Sequence, residues 1–236
     1  KKIFFQEANI LKNIAIIIAR KNSKRLRDKN NLKIRGVSLI MRAINSVIKS
    51  KIFNKIILST DDPKIFKLKN KFREIKFIKR KKSLAKDNTK AVSVVLDVIR
   101  DYKNYLSVSL FLPTCPFRES TDIKKAFKIF KKNYNTTVSV TNYEFPPEFA
   151  LIKNGKNFSP IPNSPLLKNK TRSQDFNNYM RPNGAIYISL VKNLLKKKNF
   201  YSKKMNVYKM SRIKSIDIDT NIDYELAKII SKNYEK

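Results

Sequence analysis

The sequence predicts an α/β fold: a mostly parallel sheet covered by helices on both faces. Three observations carry this. Short apolar runs rich in Ile and Val recur along the chain. Stretches with helical spacing separate them. The alternation is regular enough for strand–helix–strand crossovers, which leave a parallel sheet buried on both sides.

The elements follow in order. Asn13–Ala19 reads as a strand, because an unbroken Ile-rich run suits burial on both faces. Ser38–Ser50 reads as a helix, with Leu39, Ala43, Ile44, Val47 and Ile48 on one side. Lys55–Ser59 is a second strand. Asp61-Asp62-Pro63 marks a helix start, with a carboxylate cap and an early proline. Lys76–Ile78 is a third strand, Thr89–Tyr102 a helix with Val92, Val95, Leu96 and Ile99 on one face, and Ser107–Leu112 a fourth strand stopped by Pro113. A helix over Asp122–Lys132, capped by Ser120 or Thr121, precedes a fifth strand, Thr136–Thr141. The texture then changes: five prolines between Asn142 and Pro182 mark an irregular excursion with a short hairpin at Asn154-Gly155. Order returns with strands at Ala185–Ile188 and Asn206–Met210, a short helix at Val191–Lys197, and a closing helix over Asp223–Tyr234. Residues 1–12 read as an N-terminal extension, and 13–236 as one domain that contains the 142–182 excursion.

Composition excludes several chemistries. The 236 residues include 53 Lys+Arg, 18 Asp+Glu, no His, one Cys and three Gly, for a net charge of +35. Without His there is no imidazole-based triad and no His-bound zinc. One Cys makes no intrachain disulfide. Gly36, Gly155 and Gly184 lie too far apart for a glycine-rich phosphate loop. No run is long enough to span a membrane, no secretory signal is read, and the lone thiol fits a cytoplasmic protein. The charge admits two readings, a nucleic-acid partner or a lysine-rich background. Basic residues occur in nearly every segment, which favours the background.

In open parallel sheets ligands sit beyond the carboxyl ends of the strands. That directs attention to Arg20–Asn30 and Pro113–Arg118. The cations Arg20, Lys21, Lys24 and Arg25 on a turn after a buried strand suit a polyphosphate. Asp217 and Asp219, two positions apart on an expected strand, point the same way and suit Mg²⁺ shared with phosphate oxygens. An alternative is a surface strand end in which Asp219 or Thr220 caps the last helix.

The order of these segments resembles the sugar-activating cytidylyltransferases, specifically the acylneuraminate cytidylyltransferase (CMP–sialic acid synthetase) family. The stretches are Ala19-Arg20-x-x-Ser23-Lys24-Arg25 with Lys29-Asn30, Ser59-Thr60-Asp61-Asp62, Leu84-Ala85-x-Asp87 with Arg80 upstream, Leu112-Pro113-Thr114-Cys115-Pro116-Phe117-Arg118, Arg172-Ser173-Gln174-Asp175 with Arg181-Pro182-Asn183-Gly184-Ala185, and Ser215-Ile216-Asp217-Ile218-Asp219-Thr220. The resemblance implies a Rossmann-like domain whose 142–182 excursion packs in a homodimer and faces the sugar. It implies that Ala19, Arg20, Asn22, Ser23, Lys24, Asn30 and Arg80 bind the nucleotide, with Arg20 and Lys24 on the CTP phosphates. It implies that Asp217 and Asp219 bind Mg²⁺, and that Arg20, Lys24 and Asp219 carry catalysis. Thr114, Arg172, Gln174 and Asn183 would face an acidic nine-carbon sugar.

The implied partners are CTP and that sugar, with no membrane and no nucleic acid. The expected reaction forms a CMP-sugar of sialic or legionaminic type and releases pyrophosphate. Pseudaminic acid or a ketodeoxyoctonate are the nearer alternatives, and a basic nucleic-acid-binding module on a degenerate transferase fold is the distant one. Three positions depart from the family pattern: Lys21-Asn22 in place of Gly-Gly, Leu112 in place of Gln, and Cys115 in place of Ser. Cys115 is expected to be structural, because nothing near it in sequence would activate a thiol.

Overall fold

The computed structural model describes residues 12–172 and 179–234. Its strands are β1 (Asn13–Ala19), β2 (Lys33–Ile34), β3 (Val37–Ser38), β4 (Lys55–Thr60), β5 (Ile75–Lys79), β6 (Ser107–Phe111), β7 (Thr137–Asn142), β8 (Leu151–Asn154), β9 (Asn157–Pro160), β10 (Met180–Leu190) and β11 (Asn206–Lys209). Its helices are α1 (Leu39–Ser50), α2 (Pro63–Phe66), α3 (Ala91–Ile99), α4 (Ser120–Asn133), α5 (Val191–Lys197) and α6 (Asn221–Tyr234).

Seven strands form one sheet in the order β11-β7-β10-β6-β1-β4-β5. All pairings are parallel except those of β10, which runs antiparallel to both β6 and β7. Central β1 sets Ile16 against Ile57 on one side and Leu110 on the other. Side chains alternate faces along a strand. Ala15 and Ile17 therefore pack with α1 and α4, through Ile44, Val47, Phe127 and Phe130. Ile14 and Ile16 pack with α3 and α5, through Val95, Ile99, Val191 and Leu194. All four β1 residues are fully buried, as an Ile run buried on both faces requires.

Local signals act where the sequence places them. Ser38 caps α1 by accepting from the Met41 N–H (3.4 Å), and Asp62 caps α2 by accepting from the Lys64 N–H (2.8 Å). Four expectations are corrected. The cap of α4 is Glu119, one residue ahead of Ser120, because the Asp122 carboxylate accepts from the Glu119 N–H (2.9 Å) and closes the turn one step earlier. α3 stops at Ile99 and tightens into a 3₁₀ turn through Tyr102. The excursion holds the expected hairpin at Asn154-Gly155, formed by β8 and β9, but its last residues already belong to β10, which spans a bulge between Pro182 and Tyr187. Finally, Asp217 and Asp219 do not lie on a ladder strand. Their segment is extended and tied to the loop after β6 by Ile218 N–H donating to Thr114 O (2.9 Å). Among the described residues no helix is long and apolar enough to cross a membrane.

Candidate active site

The chain leaves β1 toward β4 and β5 on one side and returns to place β6 on the other. The carboxyl ends of β1 and β6 therefore flank the crevice in which open α/β sheets bind ligands. A cavity of about 320 Å³ lies there, lined by Arg20, Ser23, Lys29, Asn30, Arg80 and Thr114 among others. A second cavity, about 650 Å³, opens beside the ends of β7 and β10 and is lined by Thr141, Asn142, Arg181 and Arg212. Asp217 and Asp219 line both, so the two cavities meet at this carboxylate pair.

Each expected residue has a definite place. Arg20 lines the first cavity and forms an ion pair with Asp87. Lys24 reaches the other Asp87 oxygen (3.0 Å) from outside, with its side chain 82% exposed. Ser23 lines the cavity, while Asn22 lines a neighbouring cleft with Lys24, Arg27 and Lys64. Ala19 is buried at the end of β1 and sits behind the cavity wall. Asn30 is buried and donates to Arg20 O (2.9 Å), fixing the first loop on itself. Arg80 is buried, donates to Ser59 O (2.8 Å), and keeps Nε unpartnered. Burial holds its guanidinium below the usual range, opposed by the charge of Asp61.

The residues expected to face the sugar lie in different places. Thr114 lines the first cavity rather than the second. Arg172 is exposed and lines neither, and Gln174 lies outside the described residues. Asn183 is buried with its amide committed: Nδ2 donates to Ser215 Oγ (2.8 Å), and Oδ1 accepts from Ser139 Oγ (2.5 Å) and the Ala185 N–H (3.2 Å). It ties β7 and β10 to the segment that carries Asp217, so it supports the site from beneath.

Lys29 and Asp87 are motif positions that sequence reasoning left without a role, and Arg25, read there as a polyphosphate cation, pairs with a carboxylate instead. Lys29 Nζ contacts Asp219 Oδ1 (2.8 Å) and Arg25 contacts Oδ2 (2.7 Å). Nothing local distinguishes these cations from their neighbours. Asp87 had a signal: a carboxylate after the third strand of a chain poor in acids, as Asp61 follows the second. Asp61 itself accepts from the Lys21 N–H (2.9 Å).

That bond also explains how the first loop turns without Gly-Gly. Neither Lys21 nor Asn22 has positive φ; the left-handed residue is Asp28 (φ 56°). Leu112 gives the first cavity an apolar wall. Cys115 is buried, with its thiol donating to Asn183 O (3.4 Å). Burial, aided by the charge of Asp217, pushes the thiol up to about 12, which makes it inert as a nucleophile at neutral pH.

The carboxylates fit a hard divalent cation. Asp217 Oδ1 is buried without a hydrogen-bond partner, and Gly184 (φ 77°) lets the backbone pass close enough that an added Cβ would touch Asp217 Oδ2 at 3.4 Å. Burial raises the Asp217 carboxyl above the usual range, and the charge of Asp219 adds to this. No group of three or more His, Cys, Asp or Glu is gathered among the described residues. Mg²⁺ needs no such cage, since it takes one or two carboxylates and completes its shell with water and substrate phosphates.

Comparison with known proteins agrees with this geometry. The cytidylyltransferase family model matches residues 14–235. An N-acylneuraminate cytidylyltransferase of Escherichia coli is 33% identical over 94% of this chain and 53% of its own. A CMP-N,N'-diacetyllegionaminic acid synthase of Legionella pneumophila is 30% identical over 94% of this chain and 97% of its own. A pseudaminic acid cytidylyltransferase of Campylobacter jejuni is 30% identical over 95% and 99%. The chain thus spans about half the length of the N-acylneuraminate relatives it matches and nearly the whole of the other two. Among solved structures, a CMP:2-keto-3-deoxy-manno-octonic acid synthetase complexed with CTP shares the fold at TM-score 0.68 and 15% identity, over 94% of this chain and 98% of its own. A carboxylate pair at the meeting of two cation-lined cavities, in a chain matched from Ile14 almost to its end, places the protein in the cytidylyltransferase family.

Proposed function

We propose that the chain is a CTP-dependent cytidylyltransferase that activates a nonulosonic acid of sialic or legionaminic type and releases pyrophosphate. The observation that carries this reading is the meeting of the two cavities at Asp217 and Asp219. The first has cations for a triphosphate; the second has Arg181 and Arg212 for an acidic sugar. Arg181 sits in the Arg181-Pro182-Asn183-Gly184-Ala185 stretch, which looks more like the sialic and legionaminic enzymes and carries the preference, whereas Thr171-Arg172-Ser173-Gln174-Asp175 resembles the pseudaminic ones.

The reaction joins two anions, so fixed cations are its main requirement. Arg20, Lys24 and Lys29 bind the phosphates, and Arg80 closes the base end of the cavity. The anomeric hydroxyl oxygen of the sugar bonds to the α-phosphorus as the bond to the β-phosphate oxygen breaks. The hydroxyl proton leaves to a carboxylate or to water, because the chain has no imidazole. Asp217 and Asp219 would hold Mg²⁺, which when bound neutralises phosphate charge. The excursion exposes Phe145, Leu151, Phe158 and Leu167 by more than half, and such a surface supports a homodimer. The nucleotide substrate supports a cytoplasmic setting.

The test is pyrophosphate release from CTP and Mg²⁺ with a panel of sialic, legionaminic, pseudaminic and ketodeoxyoctonic acids. Release is expected with one of the first two, and Asp219→Asn should abolish most of it. No release with any sugar, together with salt-sensitive RNA binding, would sink the enzyme reading in favour of a nucleic-acid module.

A further inference from the structure

The site uses few of the chain's cations, and the opposite end of the sheet has a pattern of its own. Each parallel strand is preceded within five residues by an exposed cation. These are Lys12 before β1, Lys51 before β4, Arg73 before β5, Lys103 before β6, Lys132 before β7 and Lys204 before β11. None is in an ion pair among the described residues. Neighbouring strands lie about 4.8 Å apart, so seven of them set this row across roughly 29 Å.

Carboxylates are distributed the other way. Asp28, Asp61, Asp87, Asp217, Asp219 and Asp223 all gather at the carboxyl ends of the strands, where Asp28, Asp87 and Asp219 neutralise neighbouring cations. The amino-terminal end has Glu74 and Asp101 on the loops before β5 and β6. Among the described residues it has none toward β7 and β11, where residues 123–143 and 176–216 contain no Asp or Glu. Topology brings these two acid-free stretches together: Asn206 N–H donates to Thr136 O (2.8 Å) and Asn206 Nδ2 to Asn133 Oδ1 (2.8 Å). Among the described residues the carboxylates are thus concentrated at the site end of the molecule and scarce at the far end, whose row of cations has none of them as an ion-pair partner.

We propose that this amino-terminal end of the sheet docks the protein peripherally on an anionic phospholipid bilayer, with both cavities facing away from the lipid. The row extends across the whole width of the sheet, which matches a flat headgroup layer better than a single strand of nucleic acid. Five of its six members are lysines, point charges suited to a diffuse layer, whereas geometric phosphate recognition favours the arginine fork. The association is peripheral: among the described residues no helix is long and apolar enough to cross a membrane.

The test is co-sedimentation of the full chain with vesicles of phosphatidylcholine alone or with about 30 mol% phosphatidylglycerol, at about 0.1 M and about 0.5 M salt. Binding is expected to the anionic vesicles at the lower salt alone. The variant K51E/K103E/K132E/K204E should bind at least about tenfold more weakly, with an unchanged melting temperature and unchanged pyrophosphate release. A control with four other exposed lysines reversed, K153E/K156E/K168E/K170E, should bind as the parent does. Absence of vesicle binding would overturn the proposal, as would equal loss in both variants, which would indicate net charge alone. So would tighter binding of a transfer RNA at the same salt that excludes the vesicles.

Discussion

The ammonium of Lys29 lies 2.8 Å from Asp219 Oδ1 with its side chain only 13% exposed. Arg25 holds the other oxygen at 2.7 Å, but with its side chain 68% exposed. The same charge pairing therefore has two different weights. Water screens the exposed pair and adds side-chain entropy to its cost, whereas the lysine is shielded and lines the first cavity. Replacing Lys29 by Met should lower kcat for pyrophosphate release about 100-fold, the usual scale for loss of one charge-stabilising donor. Arg25→Met should lower it less than about fivefold. Equal losses in steady-state kinetics would contradict this assignment.

Asp87 accepts from both Arg20 and Lys24, and these contacts hold its carboxyl below the usual range: the Lys24 hydrogen bond is the largest influence, and the Arg20 bond and both positive charges act in the same sense. The carboxylate occupies cations that a triphosphate would otherwise claim. Asp87→Asn should tighten CTP binding by about three- to tenfold, since each exposed pair is worth at most about 1 kcal/mol. Calorimetric titration of CTP checks this; weaker binding would mean that Asp87 itself contacts the nucleotide.

The sheet was legible because its strands are Ile- and Val-rich runs buried on both faces, a signal that needs no tertiary information. Asn13–Ala19 is found at the residues read from sequence. The cap of α4 was not, because Ser120 and Thr121 are ordinary cap residues that compete with the Glu119–Asp122 capping box, whose carboxylates also pair with Lys214 from a distant segment. In the site, Arg20, Ser23, Asn30, Arg80, Asp217 and Asp219 were legible as motif positions, and all six line the first cavity. Asn183 was legible as a motif residue but not as a buried one. An amide shows no preference between ligand and core until its partners, here Ser139 and Ser215, are known. Lys29 was legible as a motif position but its role was not: in a chain with 53 basic residues, only its burial against Asp219 sets it apart from the other loop cations.

Asp217 sets a pH dependence. Burial raises its carboxyl in the native state, with the charge of Asp219 acting in the same sense. The native state therefore holds this proton more tightly than the unfolded chain does. Stability contributed by the protonated form is present below the ordinary aspartate value of about 3.9 and is lost as pH rises from there through the raised native value. At neutral pH the charged carboxylate is a destabilising group retained for function. Asp217→Asn should melt several degrees higher than the parent at pH 7 and release no pyrophosphate, and its advantage should shrink toward pH 4. A lower melting temperature at pH 7 would show that the carboxylate is stabilised in a way its unpartnered Oδ1 does not suggest.

Lys214 anchors the segment that leads into Ser215, Ile216 and Asp217. Its Nζ lies 3.0 Å from Asp122 Oδ2 and 2.8 Å from Glu119 Oε2, and the Asp122 side chain is only 5% exposed. Tyr208 also donates to Asp122 (2.9 Å). Burial alone would lower the lysine, but the hydrogen bonds it donates to Glu119 and Asp122 outweigh it and raise the ammonium above its usual range. The anchor is therefore fully charged at neutral pH, and its contribution is lost only as alkaline pH passes through that raised value. Removing one partner leaves a buried carboxylate that Tyr208 and the Glu119 N–H compensate only in part. Lys214→Met should cost about 2–4 kcal/mol, a fall of roughly 5–12 °C in Tm for a chain of this size. Lys214→Arg should keep most of that stability. Because the anchor holds Asp217 and not the first loop, kcat at a temperature where the variant is folded should fall while KM for CTP stays within about twofold. A rise in KM at constant kcat would place the role of Lys214 in nucleotide binding instead.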